Sequence, residues 1–176
     1  NGTIPAQIVL KKVIADIKNQ QMKQNGYCMD AEQENAVITA MNTQLSILTG
    51  GPGRGKTATI NNICSVWKNA FPNPIYRVIN GKSTPNYKIT LLAPTGRAAA
   101  NMTDYTGIKA HTIAKAKIDY GVKKDKSDIM QQNGLCIIDE CSMVGIEDMA
   151  KILKIAYAQN NQILLVGDVD QLPSIN

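Results

Sequence analysis

Apolar positions along the chain follow two rhythms. Within residues 5–24, Ile8, Val9, Val13, Ile14 and Ile17 recur at helical spacing and predict an amphipathic helix that ends near Asn25-Gly26. Asp30 is placed to cap a second helix over 31–41. A third helix is expected over 56–70, a short one over 95–104, and another over 146–159. In the last of these, Ile146, Met149, Ile152, Leu153 and Ala156 fall on one face. Between the helices lie short apolar runs at 45–49, 88–93, 135–138 and 162–166. Runs of this kind read as strands covered on both faces, and their alternation with helices predicts an α/β fold around a mostly parallel sheet. Residues 71–86 are rich in Pro, Asn and Gly and are expected to be a loop. Residues 115–133 are polar and charged without a clear period, and are expected to form a surface excursion.

Composition narrows the class without naming a function. The 176 residues fit one domain, and 44% hydrophobic content supports a sizeable core. The formal net charge of +5 suits a polyanionic partner and equally describes a lysine-rich solvated surface. Cys28, Cys64, Cys136 and Cys141 include no C-x-x-C pair, and His111 is the sole histidine, which argues against zinc. Reduced thiols and a cytoplasmic setting are expected. No apolar run reaches membrane-span length, and no secretory signal pattern opens the chain. The chain opens on Asn1-Gly2 without a methionine and closes at Asn176, soon after its last motif. It therefore reads as a domain of a longer polypeptide.

Each chemically suggestive motif falls where a predicted strand ends, and that is the edge where ligands bind in open parallel sheets. Gly50-Gly51-Pro52-Gly53-Arg54-Gly55-Lys56-Thr57 fits the G-x-x-x-x-G-K-[ST] phosphate loop in full. Its glycines let backbone N–H groups cradle phosphate, and the following helix adds the positive end of its dipole. Lys56 is expected to reach the β- and γ-phosphates and Thr57 to hold Mg²⁺. The nucleotide-binding set runs from Gly51 through Pro52, Gly53, Arg54, Gly55, Lys56 and Thr57 to Ala58.

The apolar strand Leu135-Cys136-Ile137-Ile138 ends in Asp139 and Glu140. Asp139 is expected to hold Mg²⁺ through water. Glu140, adjacent to that ligand, can orient and deprotonate an attacking water. GTPases and small-molecule kinases generally lack such a neighbouring glutamate, so the pair points to ATP hydrolysis with mechanical output. Val166-Gly167-Asp168-Val169-Asp170-Gln171 follows the last strand, and Gln171 is placed to hydrogen-bond the γ-phosphate or the water. Ala93-Pro94-Thr95-Gly96-Arg97 ends another strand. It is either an ordinary helix start capped by Thr95 or a grip on a nucleic-acid phosphate through exposed N–H groups and Arg97.

In combination, "LTGGPGRGKT", "APTGRAA", "IIDECSMV" and "LVGDVDQLPSI" resemble the RecD-type branch of superfamily 1 DNA helicases, from about Met29 to Ile175. The resemblance implies a RecA-like P-loop domain over 29–176 behind a helical lead-in over 1–28. It also implies ATP and Mg²⁺ as ligands and 5′ to 3′ movement on single-stranded DNA. By the same resemblance, Lys56 and Thr57 are the Walker A pair, Asp139 the metal ligand, Glu140 the catalytic base and Gln171 the γ-phosphate sensor. Gln33 matches the adenine-reading glutamine, a role its amide suits. Pro94, Thr95, Gly96, Arg97 and Thr112 match DNA-contacting positions.

The family also implies a second RecA-like domain of the same parent chain that closes over ATP, and further nuclease or helicase subunits as partners. Two positions depart from the pattern. Arg54 stands where the family usually has Thr or Ser, and His111 precedes Thr112 where the family's histidine follows the equivalent of Ile113. The competing readings are a nucleotide- and nucleic-acid-binding module without turnover and a viral superfamily 1 RNA helicase domain.

Overall fold

The chain folds around a five-stranded parallel sheet whose register brings the motif-bearing strand ends together. The computed structural model describes residues 7–51, 53–79, 82–123 and 127–168. Elements run α1 (Gln7–Asn25), α2 (Ala31–Asn42), β1 (Leu45–Thr49), α3 (Lys56–Ala70), β2 (Ile75–Ile79), β3 (Lys82–Asn86) and β4 (Ile89–Ala93). They continue with α4 (Gly96–Thr106), β5 (Ala110–Thr112), α5 (Ile113–Lys123), β6 (Leu135–Ile138), a 3₁₀ turn (Cys141–Met143), α6 (Ile146–Ala158) and β7 (Gln162–Gly167). The sheet order is β1-β7-β6-β4-β5, and every pairing in it is parallel.

The unbroken apolar runs follow from helices on both faces. In β6, Leu135 and Ile137 enter one core with Leu91 of β4 and Leu164 of β7, closed by α1, α2, α3 and α4 through Ile14, Met41, Trp67 and Met102. The intervening Cys136 and Ile138 enter a second core with Leu92 and Ile163, closed by α5 and α6 through Ala116 and Ile152. Because successive strand side chains point to opposite faces, an apolar residue is needed at every position.

β1 departs from the expectation of cover on both faces. Ser46 is buried, whereas Leu45 and Ile47 are 51% and 66% exposed on the face that α5 and α6 cover elsewhere. Among the described residues β1 pairs with β7 on one side and forms an edge of the sheet.

Two further differences concern segments whose sequence pattern is weak. Residues 75–79 and 82–86, within the segment expected to be a loop, form the antiparallel pair β2–β3, with Ile79 opposite Lys82. In the sequence between them, Asn-Gly at 80–81 is a dipeptide that favours antiparallel pairing of its flanks. Residues 113–123 form α5, where an irregular excursion was expected from 115. Only Ile113 and Ala116 of α5 are buried, too few to print a helical period.

Asp30 caps α2 as expected, accepting the Gln33 N–H at 2.8 Å, while the Gln33 side-chain oxygen accepts the Asp30 N–H at 3.3 Å. That reciprocal box fixes where Gln33 sits. α1 packs on α3 in the first core, and Gln21 Nε2 donates to Asn62 Oδ1 at 2.7 Å.

Candidate nucleotide site

The parallel register aligns the carboxyl ends of the central strands. Thr49 of β1 lies opposite Gly167 of β7, Ile138 of β6 opposite Leu165, and Leu92 of β4 opposite Ile138. The glycine loop, Asp139-Glu140 and Asp168 therefore leave the sheet at one edge.

In the loop, Gly53 and Gly55 take φ values of 74° and 78°, the left-handed region open to glycine at little cost. Gly55 is also the N-cap of α3, which has no side-chain cap. The first N–H groups of that 15-residue helix therefore point out of its end without a side chain to satisfy them. The arrangement suits an anion. A Cβ on Gly55 would lie 3.2 Å from Gln33 Nε2, so the Gln33 amide reaches the loop from α2. Arg54, Thr57 and Ala58 are exposed, while Gly51 and Lys56 are half-buried. The Lys56 ammonium donates to the carbonyls of Gly50 and Gly51, the latter at 3.1 Å, and lies 4.0 Å from Asp168 Oδ2. The Asp168 side chain is only 6% exposed, so this buried carboxylate lies next to the loop's cation.

Asp139 extends the ladder by one bond, its N–H donating to Leu92 O at 2.9 Å. Its Oδ1 accepts the Glu140 N–H at 2.8 Å, and its Oδ2 accepts the Tyr105 hydroxyl at 3.0 Å. Glu140 has φ 50°, a left-handed conformation that costs a non-glycine residue about 1–2 kcal/mol. The bend takes the chain off the strand into the 3₁₀ turn. Burial, followed by the neighbouring Asp139 charge, raises the Glu140 carboxyl above its ordinary value. Burial also raises Tyr105, which keeps its proton and acts as donor to Asp139. Cys141 packs tightly over Gly167, where a Cβ would come within 2.8 Å of its sulfur.

The suggested DNA-contacting residues lie along the same edge. Thr95 caps α4 by accepting the Ala98 N–H at 3.1 Å. Thr95, Gly96 and Arg97 are exposed and Pro94 is half-buried. Ala93 lies opposite Thr112 of β5, so both segments emerge side by side. The Thr112 hydroxyl accepts the Lys115 N–H at 3.2 Å at the start of α5. His111 sits one residue short of the edge, opposite Leu92. Burial, then Lys115 and Lys109, lower its pKa and favour the neutral ring. Pro52 and Gln171 lie outside the described residues. Tyr105 and the Asp168–Lys56 contact are features that sequence reasoning missed. Nothing in the local pattern pairs Tyr105 with a carboxylate 34 positions away.

A phosphate-type loop, a carboxylate pair on a neighbouring strand and a parallel sheet between helical layers define the class as a RecA-like nucleotide-binding α/β domain. The model for the family described as "AAA domain" matches residues 33–176, and the chain belongs to that family. It is 30% identical over 167 residues to the RecBCD enzyme subunit RecD of Mycolicibacterium smegmatis, covering 82% of this chain and 28% of that protein. It is 29% identical over 150 residues to the ATP-dependent RecD2 DNA helicase of Deinococcus radiodurans, covering 84% of this chain and 19% of that one. The chain thus spans under a third of the length of either relative. Its fold is similar to that of the Pif1 helicase from Candida albicans, with a TM-score of 0.56 and 20% identity over 84% of this chain and 34% of that one.

Among the described residues no helix is long and apolar enough to cross a membrane, and no three metal-ligating side chains cluster.

Proposed function

We propose that this chain is the ATP-binding and hydrolysing motor domain of a DNA helicase, coupling turnover to 5′ to 3′ movement along single-stranded DNA in repair, recombination or conjugation. The observation that carries the reading is the placement of Lys56, Asp139-Glu140 and Asp168 at one sheet edge, beside an uncapped helix start. The likeness to RecD and RecD2 supports the helicase assignment.

The residues present fit ATP with Mg²⁺. Uncapped N–H groups of α3 and the Lys56 ammonium suit the phosphates. Gln33, whose amide touches the loop, suits the adenine edge. The Thr57 hydroxyl would hold Mg²⁺ directly and the Asp139 carboxylate would hold it through water, hard oxygen donors of the kind this ion takes. The metal supplies neutralisation of phosphate charge. In the proposed turnover, Glu140 takes a proton from the water whose oxygen bonds to the γ-phosphorus as the bond to the bridging oxygen breaks and ADP leaves. Lys56 exchanges its loop carbonyls for phosphate oxygens. Gln171 senses the γ-phosphate. Pro94, Thr95, Gly96, Arg97 and Thr112 contact the DNA backbone.

The exposure of Thr57, Ala58 and Arg97 fits an edge closed by a second RecA-like domain. By itself, this chain is therefore expected to bind ATP weakly, hydrolyse it slowly and leave duplex DNA unopened. The test is steady-state ATP hydrolysis with and without single-stranded DNA, or RNA of the same sequence, beside Lys56→Ala. Turnover that rises with DNA and is lost in Lys56→Ala supports the reading. Preferential stimulation by RNA would redirect it to an RNA helicase. Absence of both Mg²⁺-dependent ATP binding and turnover would overturn it.

A further inference from the structure

We infer that Tyr105 is a positioning residue for the metal-binding carboxylate: its hydroxyl, 3.0 Å from Asp139 Oδ2, sets the orientation in which Asp139 meets the divalent cation. The inference rests on the role proposed above for Asp139. A carboxylate at a strand end turns about its Cα–Cβ and Cβ–Cγ bonds unless both oxygens are held. Here Oδ1 is held by the Glu140 N–H at 2.8 Å and Oδ2 by the phenol. Two donors on opposite oxygens fix the plane, and each oxygen keeps a lone pair for a metal or its water. Partners of this kind govern metal affinity from outside the ligand set.

The phenol is itself held firmly. Tyr105 lies in the last turn of α4, and its ring packs against the first core. In that turn Thr103 Oγ1 donates to Ala99 O at 2.8 Å and accepts the Ala110 N–H at 3.0 Å. Thr106 Oγ1 accepts the Ile108 N–H at 3.1 Å. The end of α4 is thus stapled to β5, and the direction of the phenol is set by the fold.

Tyr105→Phe removes the donor and keeps the ring. The measurement is equilibrium binding of a fluorescent ATP analogue by the whole chain, titrated with Mg²⁺ and repeated in chelator, with thermal melting as a control. The expected result is a roughly tenfold rise in the Mg²⁺ concentration at half-saturation. Affinity in chelator and the melting curve should stay unchanged. In an Asp139→Asn background, adding Tyr105→Phe should shift the Mg²⁺ midpoint no further, because the carboxylate to be oriented is gone. Tyr105→Phe with a wild-type Mg²⁺ midpoint would overturn the inference and leave the nucleotide site standing. So would equal losses with and without Mg²⁺, or an additive effect with Asp139→Asn. Wild-type chain showing no Mg²⁺-dependent binding would remove the proposed function and this inference together.

Discussion

The two ends of the central sheet treat their polar groups in opposite ways. At the amino-terminal end the protein satisfies most of its own polar groups, although among the described residues the buried Asn161 Nδ2 and Gln162 Oε1 find no hydrogen-bond partner. Gly134 N–H donates to Asn161 Oδ1 at 2.7 Å, Leu135 N–H to Lys88 O at 2.9 Å, and Gln162 Nε2 to Met41 O at 3.1 Å. Trp67 Nε1 donates to Tyr87 O at 2.9 Å. Lys88, Asn133 and Asn160 adopt left-handed backbone there, and Asn160 Nδ2 donates to Asn133 Oδ1 at 2.7 Å. At the carboxyl-terminal end the left-handed positions are Gly53, Gly55 and Glu140, α3 starts without a side-chain cap, and the buried Asp168 carboxylate lies 4.0 Å from the Lys56 ammonium. Both ends carry strained backbone, so strain alone does not mark the site. What distinguishes the carboxyl end is donors and charges whose best partners are not other parts of the chain.

If that contrast is right, substitutions at the carboxyl end should alter ligand handling at little cost to stability, and those at the amino end the reverse. The largest expected effect is on turnover. Glu140→Gln keeps the side-chain size and removes the base, and hydrolysis should fall about a thousandfold while ATP affinity holds, as single-turnover kinetics and equilibrium binding would show. Stability should not fall, because Glu140→Gln removes a carboxylate whose ionisation burial opposes.

Next comes Gly134→Ala at the opposite end. Its Cβ would lie 2.3 Å from Lys88 O and 3.2 Å from Asn161 Oδ1, so one strand start must shift. Denaturant unfolding should report a loss of about 2–3 kcal/mol, with nucleotide affinity unchanged in the folded fraction. Lys56→Ala should weaken ATP binding by roughly tenfold to a hundredfold, the worth of charge-assisted hydrogen bonds. Calorimetry would measure it.

Thr95→Ala should cost about 1 kcal/mol through the lost cap of α4, the one carboxyl-end change expected to register chiefly as stability. The last effect, silent near neutral pH, lies in mid-sheet and mid-helix. Burial pushes the Cys136 and Cys64 thiols up to about 12 from an ordinary 9.0. Each favours the fold below pH 9.0 and loses that contribution as pH rises towards 12, so alkaline unfolding should sharpen there. In native protein near pH 8, a thiol reagent should label the half-exposed Cys28 and Cys141 ahead of both.

The carboxyl end was the more legible in sequence. Its motifs join an apolar run to glycine or carboxylate within a few residues, so the glycine loop, Asp139-Glu140 and the Thr95 cap were visible at their positions. Contacts that depend on tertiary placement were not. Tyr105 meets Asp139 only because α4 returns beside β4 and β6, and Asp168 meets Lys56 only through the β1–β7 register. The same limit hid α5 and β5, where so few residues are buried that no period forms. It also hid the exposed face of β1, since Leu45 and Ile47 are as apolar as the covered residues of β6.

That exposed face bears on handling the chain in solution. Leu45 and Ile47 stand 51% and 66% exposed on a strand that, among the described residues, pairs on one side only. An open ladder beside exposed branched aliphatics is a template for another strand. As concentration rises, clouding and reversible clustering should appear before any loss of helix signal. A lysine at position 47 should delay that clouding without touching the nucleotide edge.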